Sequence, residues 1–187
     1  METKHRVEAV QHSAQVPDVL GAGPGVREIL DEAPEAADEA PDLLMPEGSI
    51  TRAAPDGGAE ADIAKGREVL AALSPFDIGQ AAVVIDGHVV AVEDIEGTDG
   101  LLARVVRLRG EGRIRAKAGR GVLVKMPKSG QDLRYDLPVV GPRTVEGVAK
   151  AALAGIAVAA GNTIAAEPQA MIEAADKAGL FVTGLAT

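Results

Sequence analysis

A chain of 187 residues that is 47% hydrophobic carries enough apolar material for a packed core, and with two Phe, one Tyr and no Trp that core must be built from Ala, Val, Leu and Ile. The absence of cysteine excludes a disulfide framework, a thiolate metal site and cysteine catalysis, and no apolar run reaches the ~18 to 20 residues needed to cross a bilayer. The net charge of −9 is uneven, because residues 1–62 carry 14 acids against 4 bases whereas residues 63–187 carry 14 acids against 15 bases.

Residues 1–40 show no helical or strand periodicity and hold the Ala/Glu/Asp/Pro run from Asp31 to Pro41. Such a composition buries too little apolar surface to offset its ordering entropy, so a flexible acidic leader is expected. Gly21 to Gly25 follows no buried strand and has no Lys-Ser/Thr pair, which argues against a phosphate loop there. Residues 41–75 read as a boundary segment and a helix. The apolar Leu43-Leu44-Met45 is expected to dock on the following domain, and Ala59 to Leu73 has helical spacing with Ile63, Val69, Leu70 and Leu73 near one face. Gly66 should weaken that helix by about 1 kcal/mol relative to Ala.

Residues 76–187 read as an α/β domain of catalytic type. Ala81 to Ile85 and His88 to Val92 flank Asp86-Gly87, a pair suited to a type I′ hairpin. Four acids follow within seven residues, Glu93, Asp94, Glu96 and Asp99. They repel one another unless a cation or bases balance them, so Glu93 and Glu96 are candidate Mg²⁺ ligands; the alternative is helix capping, which Thr98 or Asp99 is expected to provide for a helix over residues 100–109. Gly121 to Val124 reads as a buried strand, with Thr144 capping a helix over residues 145–154. Strands at residues 155–159 and 163–166, a helix opened by Pro168 and ended by Gly179, and a last strand at residues 180–185 complete the order. A hairpin followed by alternating helices and strands implies a mixed sheet with flanking helices.

The stretch from Lys125 to Thr144 has a composition no core requires: Lys125, Lys128, Arg134 and Arg143 with Gln131, Asp132, Asp136 and three prolines. It leaves a buried strand where ligands gather in open α/β sheets. Asp132 and Asp136, four apart, can face one cation, and the bases can meet phosphate oxygens. The competing reading is a solvated loop whose Asp and Arg side chains pair with each other. Residues 104–143 hold eleven bases against Glu111, Asp132 and Asp136, a field that would attract an anionic ligand or membrane headgroups. With almost no aromatic residues there is no stacking platform for single strands, and nucleic acid is not an expected partner.

The run Gln131-Asp132-Leu133-Arg134-x-Asp136-Leu137-Pro138-x-x-Gly141-Pro142-x-Thr144 resembles the signature of the UDP-2,3-diacylglucosamine pyrophosphatases of the LpxI type. Asp77 to Val84, Ala91 to Asp99 and Ala178 to Val182 agree with it in order. The resemblance covers the chain from about Pro41 onward and is to the carboxyl-terminal domain of that family, without the amino-terminal domain. It implies Mg²⁺-assisted hydrolysis of a UDP-diacylglucosamine lipid to UMP and 2,3-diacylglucosamine 1-phosphate. Asp136 or Asp132 would bind the metal or polarise water, and Lys125, Lys128, Gln131, Arg134 and Arg143 would contact the diphosphate. A cytoplasmic enzyme with peripheral contact to the inner membrane, and able to form a homo-oligomer, is the corresponding expectation. The alternative is a truncated, non-catalytic module that binds a sugar nucleotide or phospholipid headgroup.

Overall fold

The computed structural model describes residues 43–128 and 137–186. The elements in order are β1 (Gly48–Ser49), α1 (Gly57–Leu73), a 3₁₀ turn (Ser74–Phe76), β2 (Ala81–Ile85), β3 (His88–Val92), α2 (Gly97–Gly110), β4 (Val122–Lys125), β5 (Val139–Val140), α3 (Pro142–Lys150), β6 (Gly155–Ala159), β7 (Ile164–Ala165), α4 (Pro168–Ala178) and β8 (Phe181–Leu185). Six strands make one sheet in the order β1-β8-β6-β4-β2-β3, and β5 and β7 form a separate parallel pair. Within the large sheet β4, β6 and β8 are parallel, β2 is antiparallel to both β3 and β4, and β1 is antiparallel to β8. The fold is therefore α/β with a mixed sheet, as the alternation of elements implied. The expected leader, residues 1–40, lies outside the described residues.

Both faces of the sheet are covered, which is why its strands read as unbroken apolar runs rather than alternating ones. Ala82, Val122, Val124, Ala157 and Phe181 meet Ala59, Ile63 and Leu70 of α1 on one face. Their strand neighbours Ala81, Val83, Ile85, Leu123, Ile156, Val158 and Val182 form the other core with Leu101, Leu102 and Val105 of α2, Val145 and Val148 of α3, and Met171 and Ala175 of α4. Met45 joins this second core at 1% exposure, its backbone bonded to Thr163 and Gly161.

The Asp86-Gly87 turn has positive φ at both residues, 49° and 78°, as a type I′ hairpin demands. Its amides are held by Asp62 of α1, a 2%-exposed carboxylate that accepts from the Asp86 N–H at 3.0 Å and the Gly87 N–H at 2.7 Å. Gly66 has a packing role its helix propensity conceals. A Cβ there would stand 2.6 Å from Val124 Cγ2, so glycine lets α1 approach β4.

Two helix starts differ from expectation. α3 begins at Pro142 rather than Val145, because proline at the first helical position lacks an N–H that would be unpaired anyway. Thr144 lies inside the helix, its hydroxyl accepting from the Gly141 N–H at 3.4 Å. α2 begins at Gly97, with neither Thr98 nor Asp99 capping it. The Thr98 hydroxyl is engaged elsewhere.

Candidate functional site

Because β3 and β4 both flank β2 and run opposite to it, the carboxyl ends of β3, β4, β6 and β8 lie along one edge of the sheet, beside the residues that lead into β2. That edge collects the polar side chains. Lys125 is the last residue of β4 and shares a face with Leu123, so its side chain enters the layer of α2 and α3 instead of leaving the fold. It is 6% exposed. Its Nζ donates to Thr98 Oγ1 at 2.9 Å and to the Val139 carbonyl at 3.3 Å. The Thr98 hydroxyl in turn donates to Glu93 Oε2 at 3.1 Å, and Glu93 is 7% exposed. Burial lowers the Lys125 pKa from its ordinary value, while the charges of Glu93 and Asp99 pull it upward. The polar stretch thus begins inside the strand, not beyond its end.

Beside this cluster the residues before β2 fold against the end of β3. The Met126 N–H donates to the Gln80 carbonyl and the Glu93 N–H to the Ala81 carbonyl, at 2.9 and 2.8 Å. Gly79 has φ +49°, and a Cβ there would lie 2.0 Å from the Glu93 carbonyl oxygen, so only glycine allows this approach. Lys128 Nζ pairs with Asp77 Oδ1 at 2.6 Å and also reaches the Asp77 carbonyl. Asp77, Gly79, Gln80, Glu93, Asp94, Ile95 and Lys128 line an open groove. Ile95 is fully exposed and Phe76, one residue before Asp77, is 72% exposed, so the groove lies next to an apolar rim.

The acidic cluster is dispersed among internal partners. Glu93 accepts from Thr98, Glu96 pairs with Arg104 at 2.9 Å, and Asp99 pairs with Arg143 at 2.6 Å across the first turns of α2 and α3. Arg104 also donates to the Val92 carbonyl, tying α2 to the end of β3. Among the described residues no three His, Asp or Glu side chains are grouped to hold a metal. The basic run is likewise largely engaged: Arg107 with Glu111, Arg109 with the carbonyls of Ala116 and Ala151, and Arg120 with Asp56 and Asp86.

Of the residues singled out in the sequence, Glu93 and Lys125 come together through Thr98, Lys128 stands nearby on Asp77, and Glu96 and Arg143 are each held in an ion pair. Gln131, Asp132, Arg134 and Asp136 lie outside the described residues. Thr98 and Arg104 were not recognised as site residues. The contact of Thr98 with Lys125 joins residues 27 positions apart, which local pattern does not signal.

The LpxI C-terminal domain family matches residues 46–183, a span that contains Asp77, Glu93, Thr98, Lys125, Lys128 and Arg143. The chain is also 43% identical over 144 residues to the UDP-2,3-diacylglucosamine pyrophosphatase LpxI of Caulobacter vibrioides, an alignment covering 77% of this chain and 51% of that protein. It spans about half the length of the curated relative it matches. With the family match running from the segment that docks Met45 to within β8, the chain belongs to the LpxI C-terminal domain family.

Proposed function

We propose that the chain carries the diphosphate-hydrolysing site of a UDP-2,3-diacylglucosamine pyrophosphatase, cleaving its lipid substrate to UMP and 2,3-diacylglucosamine 1-phosphate as a step in lipid A biosynthesis. The observation that supports this most directly is the similarity to a relative so named, over a span that includes the Gln131 to Thr144 signature. The setting agrees with the chemistry. The described residues at either end of this stretch, Lys125 and Val139 to Arg143, lie beside the first turns of α2 and α3, and amino-terminal turns favour phosphate oxygens.

In this reading Asp136 or Asp132 binds Mg²⁺ or polarises the attacking water, and a bound Mg²⁺ would offset the charge developing on the phosphates. Lys128, Gln131, Arg134 and Arg143 contact the diphosphate. Arg143 is 86% exposed at its side chain and can exchange Asp99 for an anionic ligand. The apolar rim at Phe76, Ile78 and Ile95 is suited to acyl chains or to peripheral contact with the inner membrane from the cytoplasmic side. No helix among the described residues is long and apolar enough to cross a membrane. Self-association into a homo-oligomer is part of the same proposal, since among the described residues β3 and the two-residue β1 are the outer strands of the sheet and pair on one side.

The deciding experiment is release of UMP from UDP-2,3-diacylglucosamine by the purified chain, with Mg²⁺ or with EDTA. Metal-dependent turnover supports the reading. A second reading, a binding module that retains affinity for the sugar nucleotide without turnover, is separated from the first by the same experiment. Uridine-nucleotide binding by a folded chain that releases no UMP would select it.

A further inference from the structure

On the opposite edge of the sheet from Lys125, a second groove opens between the tip of the β2-β3 hairpin and the chain that leaves α2. Because Ala81 pairs with Lys125 and Val84 with Val122, Ile85 and the turn that follows it stand beside the start of β4 instead of its end. The groove encloses about 420 Å³, a size common among small-molecule sites. Its floor and its rim differ in kind. Ile85, Val90, Ile114 and Ala116 form an apolar floor that belongs to the core or packs against it, and Ile85 is only 2% exposed. His88, Arg113 and Arg115 form an exposed rim.

The segment after α2 creates this arrangement. From Arg113 to Lys117 exposed cations alternate with half-buried apolar residues, the period of extended chain. Both ends of the segment are pinned. The Arg113 N–H donates to the Leu108 carbonyl at 2.9 Å, and the Arg109 guanidinium donates to the Ala116 carbonyl at 2.6 Å. Arg113 and Arg115 are thus held on one side, about 7 Å apart along the chain. The acids beside them are already taken, since Glu111 pairs with Arg107 and Asp86 with Arg120, each at 2.7 Å. Among the described residues no hydrogen bond or ion pair engages the side chains of His88, Arg113 or Arg115.

We propose that this groove binds one phosphate-bearing amphiphile, its phosphate held by Arg113 and Arg115 with the His88 imidazole, and its alkyl part lying on Ile85, Val90, Ile114 and Ala116. A guanidinium fork meets two phosphate oxygens at once, and the apolar floor removes carbon from water. The floor is more buried than the rim, so a chain reaches it only after leaving a bilayer. The ligand is a single molecule and not a membrane surface. This site is separate from the groove at Asp77 and Lys128, and it does not depend on the hydrolytic reading.

The test titrates the full chain with hexyl phosphate and, separately, with inorganic phosphate, and follows the backbone amide NMR shifts. Hexyl phosphate should move the amides of His88, Val90, Ile114 and Ala116, and should bind there about tenfold or more tighter than inorganic phosphate. Arg113→Gln combined with Arg115→Gln should weaken binding at these reporters by about tenfold or more. Lys117→Gln removes the next cation of the row, which does not line the groove, and should weaken it by less than about twofold. Unchanged shifts at Leu123 and Ile156 in the unliganded variants establish that the fold is kept.

Equal affinity for the two anions would leave an ion site that does not use the floor, and would overturn the proposal. So would shifts confined to Thr98 and Lys125, which place the ligand on the other edge, or a Lys117→Gln loss as large as that of the arginine pair, which reports a general field. Binding to phosphatidylglycerol vesicles with none to hexyl phosphate would assign the arginines to a membrane surface and overturn it as well. Absence of UMP release by the wild-type chain bears only on the hydrolytic edge.

Discussion

Lys125 and Thr98, 27 residues apart in the chain, meet at 2.9 Å. The bond exists because β2 lies between β3 and β4, and the helix that follows β3 crosses the face of the sheet toward which Lys125 points. Neither residue's neighbours in the sequence announce the other.

Burial lowers the Lys125 pKa, so the folded chain releases this proton at lower pH than the unfolded chain does. Between the two values the unfolded state binds more protons, and the residue's contribution to stability rises with pH up to the ordinary lysine value of about 10.4. Urea unfolding followed from about pH 8 to about pH 10.5 should show a more positive slope for the wild type than for Lys125→Met. Equal slopes would mean that the ammonium is not desolvated.

Gly66→Ala separates helix propensity from packing. Propensity alone predicts a gain of about 1 kcal/mol, but the new methyl group would press on Val124 Cγ2 at 2.6 Å, and overpacking of this kind costs about 1 to 3 kcal/mol. A net loss in the denaturation midpoint is expected. A gain would show that α1 moves off β4 freely.

Replacing Asp136 or Asp132 by Ala should lower the rate of UMP release by about two orders of magnitude or more for the residue that orients water, and EDTA should abolish turnover if Mg²⁺ is required. Glu111→Ala, which removes an exposed i,i+4 partner of Arg107, serves as the control and should leave the rate unchanged. Equal effects in all three variants would remove the assignment.

The paired change Phe76→Ser and Ile95→Ser tests the apolar rim. Each side chain is already exposed, at 72% and 100%, so thermal stability should change little while sedimentation with phospholipid vesicles falls or KM for the diacyl substrate rises by about tenfold. Unaltered vesicle binding and KM would assign the rim no lipid contact.

Local signals in the sequence determined much of the architecture. Asp86-Gly87 dictates a hairpin because its residues accept positive φ, Pro168 and Gly179 bracket α4, and the apolar runs of β2, β4 and β6 require a sheet covered on both faces. The Gln131 to Thr144 signature likewise pointed to the family. What only the tertiary structure decided is which polar groups meet: Thr98 looked like a helix cap, Lys125 like a loop cation, and Gly66 like a weakness in α1. Each has a role beyond its local signal, for the same reason. Their long-range partners, Lys125 for Thr98, Val139 for Lys125 and Val124 for Gly66, lie on elements brought alongside by strand order, which a pattern of neighbouring residues does not encode.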